Sequence, residues 1–449
     1  MTSFTPSPAK ARQRSLAEKV DPRDTALVVV DMQNDFCHPE GFFGARGADL
    51  SRMPAVAERI RALVESARRQ NMLILWIRAH YDEVVLGDPM GEVLNRPGRT
   101  SGSCQAGSHG ADWYGDLRPR DEATNELIVT KHRYSAFWDS PIDLFLRSNA
   151  IRNLVVTGTS TDVCVESTVR DAFFRNYFVV VPSDATFSSP DRHAEALGNI
   201  SRLFGLTPTS DEVITIWEKC DPDGPRSWQA DIKNAAAPAD FTSLVDPRHT
   251  ALVIVDMQND FCHPQGVMGR HGEDLSEFPA AIETIAGLIE TARASGAMIV
   301  HVQGANMETG RPGNHRGLVS EKQKVMQLTK PDTWGAEQVA ELAPGPGEEI
   351  VVKHRYSSFV DTRLETLLRT NHIKTLVVTG TATQTCVEST VRDGQMRDYR
   401  IVVPRDGVAS RGRHQHLKQA SLETMELYFA DVVQAADVTA AWEARLLNN

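Results

Sequence analysis

The chain has 449 residues, room for two or three domains at about 100–200 residues each. Hydrophobic residues make up 41% and charged residues 24%, which excludes a chain dominated by disorder. With 48 Lys+Arg against 59 Asp+Glu the net charge is −11, a poor surface for neutralising nucleic-acid phosphates.

Residues 1–20 are polar, of mixed charge and without the apolar core of a secretory signal, and are expected as a flexible tail. Ala26–Val30 is a short β-branched apolar run, the pattern of a strand buried on both faces. Met53–Gln70 places Val56, Ile60, Leu63, Val64 and Ala67 at helical spacing. Strands are expected at Leu73–Ile77, Leu127–Val129 and Leu154–Thr157, with a helix near Pro141–Arg147. A helix over Cys164–Asn176, a strand over Phe178–Val181, a helix over His193–Phe204 and a final strand over Val213–Ile216 follow. No apolar run approaches the ~20 residues of a membrane-spanning helix.

The same order then repeats. TALVVVDMQNDFCHP, Thr25–Pro39, returns as TALVIVDMQNDFCHP, Thr250–Pro264. KHRYS occurs at Lys131–Ser135 and Lys353–Ser357. LVVTGTSTDVCVESTVRD, Leu154–Asp171, returns as LVVTGTATQTCVESTVRD, Leu376–Asp393. The offset is 225 residues up to Gly110/Gly335 and 222 from Lys131/Lys353 onward, read as a single three-residue length difference. So long a period means two whole domains and not a solenoid. They are expected at residues 21–220 and 244–449, joined by a linker over 221–243; the boundary region Lys219–Ala239 has CDPDGPR and NAAAPAD turn composition. Alternating strands and helices imply, in each half, a parallel sheet with helices on both faces. Ligands in such sheets bind beyond the carboxyl ends of the strands.

Three polar residues stand at those ends in each half. Asp31 follows the first strand, Lys131 the third, and Cys164 opens a helix after the fourth; Asp256, Lys353 and Cys386 are their counterparts. A thiolate is the reactive form of cysteine, and a helix N-terminus with a nearby cation favours it. The Gly158–Val163 loop offers backbone N–H groups to an oxyanion. Asp31 suits proton transfer from the thiol to a leaving amine, and Lys131 suits holding that carboxylate ionised.

DMQNDF after the first strand, K-x-R-Y-S after the third and G-T-x-T-x-x-C-V-E-S-T-x-R-D after the fourth resemble the isochorismatase-like cysteine hydrolases. The resemblance covers nearly all of both halves, with three separated motifs in order, twice. It implies two tandem three-layer α/β/α domains, each around a six-stranded, mostly parallel sheet. It implies an Asp–Lys–Cys triad at Asp31, Lys131, Cys164 and at Asp256, Lys353, Cys386. It further implies non-proline cis peptides at Thr159–Ser160 and Thr381–Ala382. The oxyanion donors would be the N–H groups of Ser160 with Cys164, and of Ala382 with Cys386. The wording of the motifs is most similar to the ureidoacrylate and biuret amidohydrolases, so a small amide, ureide or carbamoyl substrate and no cofactor are expected. Nicotinamidases carry an Asp-x-His metal motif after the second strand. Here that region reads WIRAHYDEV and VHVQGANME, so no metal is expected. Nicotinamidase-like or isochorismatase-type hydrolysis, or one catalytic domain beside a structural one, are the alternatives. Isochorismatases lack the nucleophilic cysteine that both halves carry.

Other residues have plainer readings. Cys37-His38 and Cys262-His263 offer too few ligands for a metal. Asp35 and Asp260 are either substrate contacts or turn stabilisers. Glu166/Arg170 and Glu388/Arg392 have the spacing of intrahelical ion pairs. Phe36, Tyr134, Trp138, Phe261 and Tyr356 are candidate substrate contacts, with core packing an equal reading for the two phenylalanines. Cys104 and Cys220 have no cysteine partner in the repeat. The six cysteines are too sparse for a disulfide framework and point to a reducing, cytoplasmic setting. Neither nucleic acid nor membrane is expected as a partner; self-association of fused pseudo-dimers is. The segments SGSCQAGSHGADW and TKPDTWGAEQ differ most between the halves and are expected to cover the ligand.

Overall fold

The computed structural model describes residues 14–82, 84–85, 87–94, 102–220, 240–305 and 328–447. Most of the expected tail and linker, residues 1–13 and 221–239, lies outside them. Residues 14–20 include a one-turn helix, Leu16–Lys19, closed by a capping box between Ser15 and Glu18. The chain divides into two compact units, one over Arg12–Ala237 and one built on Pro238–Asn449.

The first unit holds β1 (Thr25–Val30), β2 (Leu73–Ala79), β3 (Glu126–Lys131), β4 (Asn153–Thr159), β5 (Phe178–Val180), β6 (Thr186–Phe187) and β7 (Gly205–Leu206). The sheet order is β3-β2-β1-β4-β5-β7, with β6 beside β4. Each of these pairings is parallel. The second unit repeats this with β8 (Thr250–Val255), β9 (Met298–Gly304), β10 (Glu349–Lys353), β11 (Thr375–Thr381), β12 (Arg400–Pro404), β13 (Val408–Ala409) and β14 (Asp431–Val433). Its order is β10-β9-β8-β11-β12-β14, with β13 beside β11. Six strands, the expected number, form each main path, and the two-residue β6 and β13 bring each sheet to seven.

Both central strands are buried along their whole length, which is why Ala26–Val30 and Leu154–Val156 read as apolar runs. Alternate residues serve opposite faces. Leu27 and Val29 pack with helices Met53–Arg69 and Ser210–Trp217. Ala26, Val28 and Val30 pack with helices Ile142–Ser148 and Glu166–Phe174. Each fully buried Val or Leu contributes about 1.5–3 kcal/mol, so the layers are held chiefly by this burial. The result is two tandem α/β/α domains.

Two expectations need correction. Val213–Ile216 is not a strand but lies in helix Ser210–Trp217. Thr209 and Glu212 form a capping box there, and Val213 and Trp217 bury one helical face. The last strand is instead the short β7. The repeat also contains a second length change. Trp217 Nε1 donates to Val20 O and Trp442 Nε1 to Val245 O, restoring the 225-residue offset. The second domain is longer between β13 and helix Gln415–Tyr428, where it adds the turn Gly412–His414.

Candidate active site

Parallel strands put their carboxyl ends on one edge, and the three polar residues meet there. Asp31 and Asp256 leave β1 and β8 with φ of 52° and 54°. A left-handed backbone at an aspartate costs of order 1–3 kcal/mol and marks a position held by its surroundings. Their amides are fixed by Ile77 O and Val302 O, both at 2.9 Å. Gly158 and Gly380 lie alongside, with φ of 110° and 111°; a Cβ there would come within 2.0 Å of Val30 O or Val255 O. Only glycine lets β4 and β11 approach so closely beside the aspartates.

Lys131 Nζ lies 2.8 Å from Asp31 Oδ2, both side chains fully buried, and 3.5 Å from Cys164 Sγ. Lys353 Nζ lies 2.7 Å from Asp256 Oδ2. Each ammonium also donates to the carbonyl two residues on, Arg133 O and Arg355 O, at 3.1 Å. Cys164 is buried and Cys386 half-buried. Each sits in a π-helical turn, Thr161–Val165 or Thr383–Val387, before helix Glu166–Phe174 or Glu388–Gln395. The peptides Thr159–Ser160 and Thr381–Ala382 are cis.

Burial dominates the electrostatics. It pushes the Cys164 thiol up to about 12, against the opposing pull of Lys131. Burial and Asp256 together push Cys386 up to about 12 as well. Burial also raises the Asp31 carboxyl, with Lys131 pulling the other way. For Lys131, burial works against the ammonium, but Asp31 and Cys164 outweigh it and hold the group charged. A thiol raised in this way rests neutral and, to act as a nucleophile, would have to give up its proton. A carboxylate in contact is the group to receive it.

The motif residues around the aspartate have duties that sequence reading missed. Gln33 clamps both polar groups of Ala79 at the end of β2, and Ala111 O in the covering segment. Gln258 does the same at Gly304 and Ala336. Asn34 and Asn259 hold His109 O and Trp334 O. Asp35 accepts from Phe42 N at 2.9 Å and Cys104 N at 2.6 Å; Asp260 accepts from Val267 N and Thr329 N. A Cβ on Gly110 or Gly335 would fall 2.2–2.3 Å from those carboxylates. Of the two readings of Asp35 and Asp260, these bonds match loop stabilisation. Thr168 links Cys164 O to Ala136 N, and Thr390 links Cys386 O to Ser358 N, tying the cysteine turn to the K-x-R-Y-S loop.

The remaining candidates are scattered. Phe36 is buried against Phe43, ring centroids 5.6 Å apart. Phe261 packs beside Val267 and Met268. Tyr134 packs in the cluster that contains Cys164. Tyr356 is half-exposed, its phenol raised by burial and by Cys386. Trp138 is 55% exposed. Asp162 and Gln384 anchor the cysteine turn to the segment after β6 or β13, accepting from Ser188 Oγ and Ser410 Oγ. Glu166–Arg170 and Glu388–Arg392 form the expected intrahelical ion pairs, at 2.5 and 2.6 Å. Cys37 and Cys262 are buried thiols that burial pushes up. Tyr81 and Cys104, which no motif marks, lie buried among the electrostatic neighbours of Asp31, Lys131 and Cys164. No helix among the described residues is long and apolar enough to cross a membrane.

The chain is similar to a cysteine hydrolase from Pseudomonas syringae pv. phaseolicola, at 30% identity over 44% of this chain and 94% of that one (TM-score 0.40). It is similar to N-carbamoylsarcosine amidase from Thermoplasma acidophilum, at 30% identity over 41% and 96% (TM-score 0.34). Pyrazinamidase of Pyrococcus horikoshii, solved with zinc, is 26% identical over 41% and 99% (TM-score 0.36). The family described as the Isochorismatase domain matches residues 25–212 and again 250–437. Matched over most of its length, the chain belongs to the isochorismatase family of hydrolases, as two tandem isochorismatase domains.

Proposed function

We propose that the protein is a cysteine-dependent amidohydrolase of small amide, ureide or carbamoyl compounds. The observation that carries this reading is the buried Asp31–Lys131–Cys164 contact, at 2.8 and 3.5 Å. The second domain has the same residues in the same order. The thiol passes its proton to the aspartate as sulfur attacks the carbonyl carbon. The oxyanion is held by the N–H groups of Ser160 and Cys164, or of Ala382 and Cys386. The tetrahedral intermediate collapses, the C–N bond breaks, and the aspartate returns the proton to the departing ammonia or amine. A thioester remains. Water attacks it, giving its proton to the same aspartate, and the thiol is regenerated with the acid product. The lysine stays charged throughout and holds the aspartate in place. This chemistry needs no cofactor. A vinyl-ether hydrolase would have no use for a thiol beside an aspartate in both domains.

The test is ammonia release from biuret, ureidoacrylate, carbamoyl amino acids, maleamate and nicotinamide. Wild type, Cys164→Ala, Cys386→Ala and the double variant are compared. Turnover of at least one compound that vanishes in the double variant is expected. Full activity in the double variant overturns the thiol mechanism, and no turnover of any compound overturns the substrate class. The covering segments differ between the domains, so the two single variants are expected to lose different substrates.

A further inference from the structure

Against the Cys164 turn of the first domain packs a buried histidine that no shared motif contains. His193 lies in helix Pro190–Leu203, is 8% exposed, and has both ring nitrogens engaged. Nε2 lies 3.1 Å from Ser183 O and Nδ1 2.9 Å from Thr161 Oγ1. A carbonyl only accepts, so Nε2 carries the hydrogen of the neutral ring and Nδ1 accepts from the Thr161 hydroxyl. Thr161 is fully buried. It is the first residue of the turn Thr161–Val165, which follows the cis peptide Thr159–Ser160 and carries Cys164. Main-chain bonds close that turn, Ser160 O accepting from Val163 N and Val165 N, both at 3.1 Å. His193 supplies the side-chain tie at its first residue. The charged groups around the ring are Arg52 and Asp162. Arg192 pairs with Asp162 at 3.4 Å, and Asp184, next to Ser183, is held by Ser210. Burial, with Arg52, holds the imidazole below its usual range, so the ring is neutral at pH 7.

We infer that His193 is a positioning residue of the first domain: by holding Thr161, its neutral ring keeps the Ser160–Cys164 turn set to receive an oxyanion. This rests on the amidohydrolase reading, in which the N–H groups of Ser160 and Cys164 hold that oxyanion. When the ring gains a proton, Nδ1 becomes a donor and the Thr161 hydroxyl must turn away and find another acceptor. The second domain is built differently here. At the restored 225-residue offset the histidine becomes Lys418, whose ammonium lies 3.2 Å from Glu277, the counterpart of Arg52. Thr383, the counterpart of Thr161, donates instead to Ala409 O at 3.2 Å. In the first domain the matching carbonyl, Phe187 O, accepts from Thr159 Oγ1. The first residue of the turn is thus held by a titrating ring in one domain and by a main-chain carbonyl in the other. His414 approaches the second turn one residue further along, its Nδ1 3.3 Å from Gln384 Nε2, so the test stays within the first domain.

Two probes separate this role from plain packing in the full chain, with peptide mass spectrometry reading Cys164. p-Nitrophenyl acetate acylates the thiol: a C–S bond forms, the ester C–O bond breaks, nitrophenolate leaves and the thiol proton passes to Asp31. That route goes through an oxyanion. Iodoacetamide alkylates it: a C–S bond forms, the C–I bond breaks, iodide leaves and the proton goes the same way. That route develops no oxyanion. The ratio of the two rates cancels the reactivity of the thiol and the protonation of Asp31, and reads the oxyanion turn. In wild type the ratio is expected to fall as pH drops below about 6.5. His193→Leu removes the acceptor and should lower the ratio by about 5- to 100-fold at every pH, the worth of one buried hydrogen bond left unmade. His193→Asn puts an amide oxygen close to the place of Nδ1 and does not titrate, so it should keep the neutral-pH ratio and lose the pH dependence. A wild-type ratio that ignores pH, a His193→Leu variant in which both probes slow alike, or a pH step that survives His193→Asn overturns the positioning role. If Cys164 of the wild type reacts with neither probe, it is the nucleophile reading of the first domain that fails, and this inference with it.

Discussion

In the first domain Trp76 and Trp113 pack edge to face, ring centroids 5.9 Å apart. Trp76 Nε1 donates to Glu126. The equivalent positions of the second domain hold His301 and Gln338, fixed by matching pairings: Val29↔Trp76 with Ile254↔His301, and Gln33↔Trp113 with Gln258↔Gln338. His301 Nε2 lies 2.8 Å from Glu348 Oε2, but His301 Nδ1 and both amide atoms of Gln338 are buried without a partner. Gln338 is 6% exposed. An unsatisfied buried polar group costs about 1–3 kcal/mol. Gln338→Met keeps the chain length and removes the amide, so the second domain should gain about 2 kcal/mol. At about 2–4 °C per kcal/mol for a domain of this size, its melting temperature should rise by about 4–8 °C. The assay is calorimetry of the full chain, with peptide-resolved hydrogen exchange over 250–255 and 298–304 assigning the transition. The first domain should not move. An unchanged or lowered transition in the second domain would refute the reasoning and mean that ordered water already satisfies the amide.

The same histidine gives a pH signature. Burial holds the His301 imidazole below its usual range, partly countered by Glu348. The folded state then binds fewer protons than the unfolded one. The stabilisation is complete above the unfolded pKa of about 6.5 and is lost as pH falls through it. Second-domain stability should fall as pH drops below about 6.5, and His301→Trp should flatten the profile; a parallel response of both domains would contradict this. Lys131→Met leaves Asp31 buried without its counter-charge and should cost the first domain about 3–5 kcal/mol in urea titrations. Adding Asp31→Asn should restore most of that, and a single variant as stable as wild type would show the pair is not coupled. Asp35→Ala strips the acceptor from Phe42 N and Cys104 N, and should speed hydrogen exchange across 102–112 by at least about fivefold. Unchanged protection there would remove Asp35 from its loop-tying role.

Much of this architecture is legible in the amino-acid order alone. Repeated motifs reveal two domains, because duplicated segments keep identity where neighbouring residues constrain one another. Unbroken runs such as Ala26–Val30 announce doubly buried strands, because a parallel sheet leaves such strands no polar face. Polar residues at the ends of those runs point to one crevice, because parallel strands end on the same edge. Short range is where sequence reading fails. Val213–Ile216 carries three apolar residues and a threonine, all β-branched, that suit a strand or a helix, and only the Thr209 cap and the burial of Val213 with Trp217 decide for the helix. The three extra residues before helix Gln415–Tyr428 hide in a stretch with no shared motif, and become visible only when Trp217 and Trp442 reach the same carbonyl. The site shows the same division. Asp31, Lys131 and Cys164 are ordered by chain position, but the 2.8 Å contact, the fully buried charges and the neutral thiol are products of packing. His193 and Gln33 could not be singled out beforehand, because the partner that a buried polar group finds depends on segments far away in the chain. The amino-acid order determined which chemistry the chain can assemble, through local pattern and strand direction. Only the tertiary structure decided which groups lose water, and that loss sets their protonation and their partners.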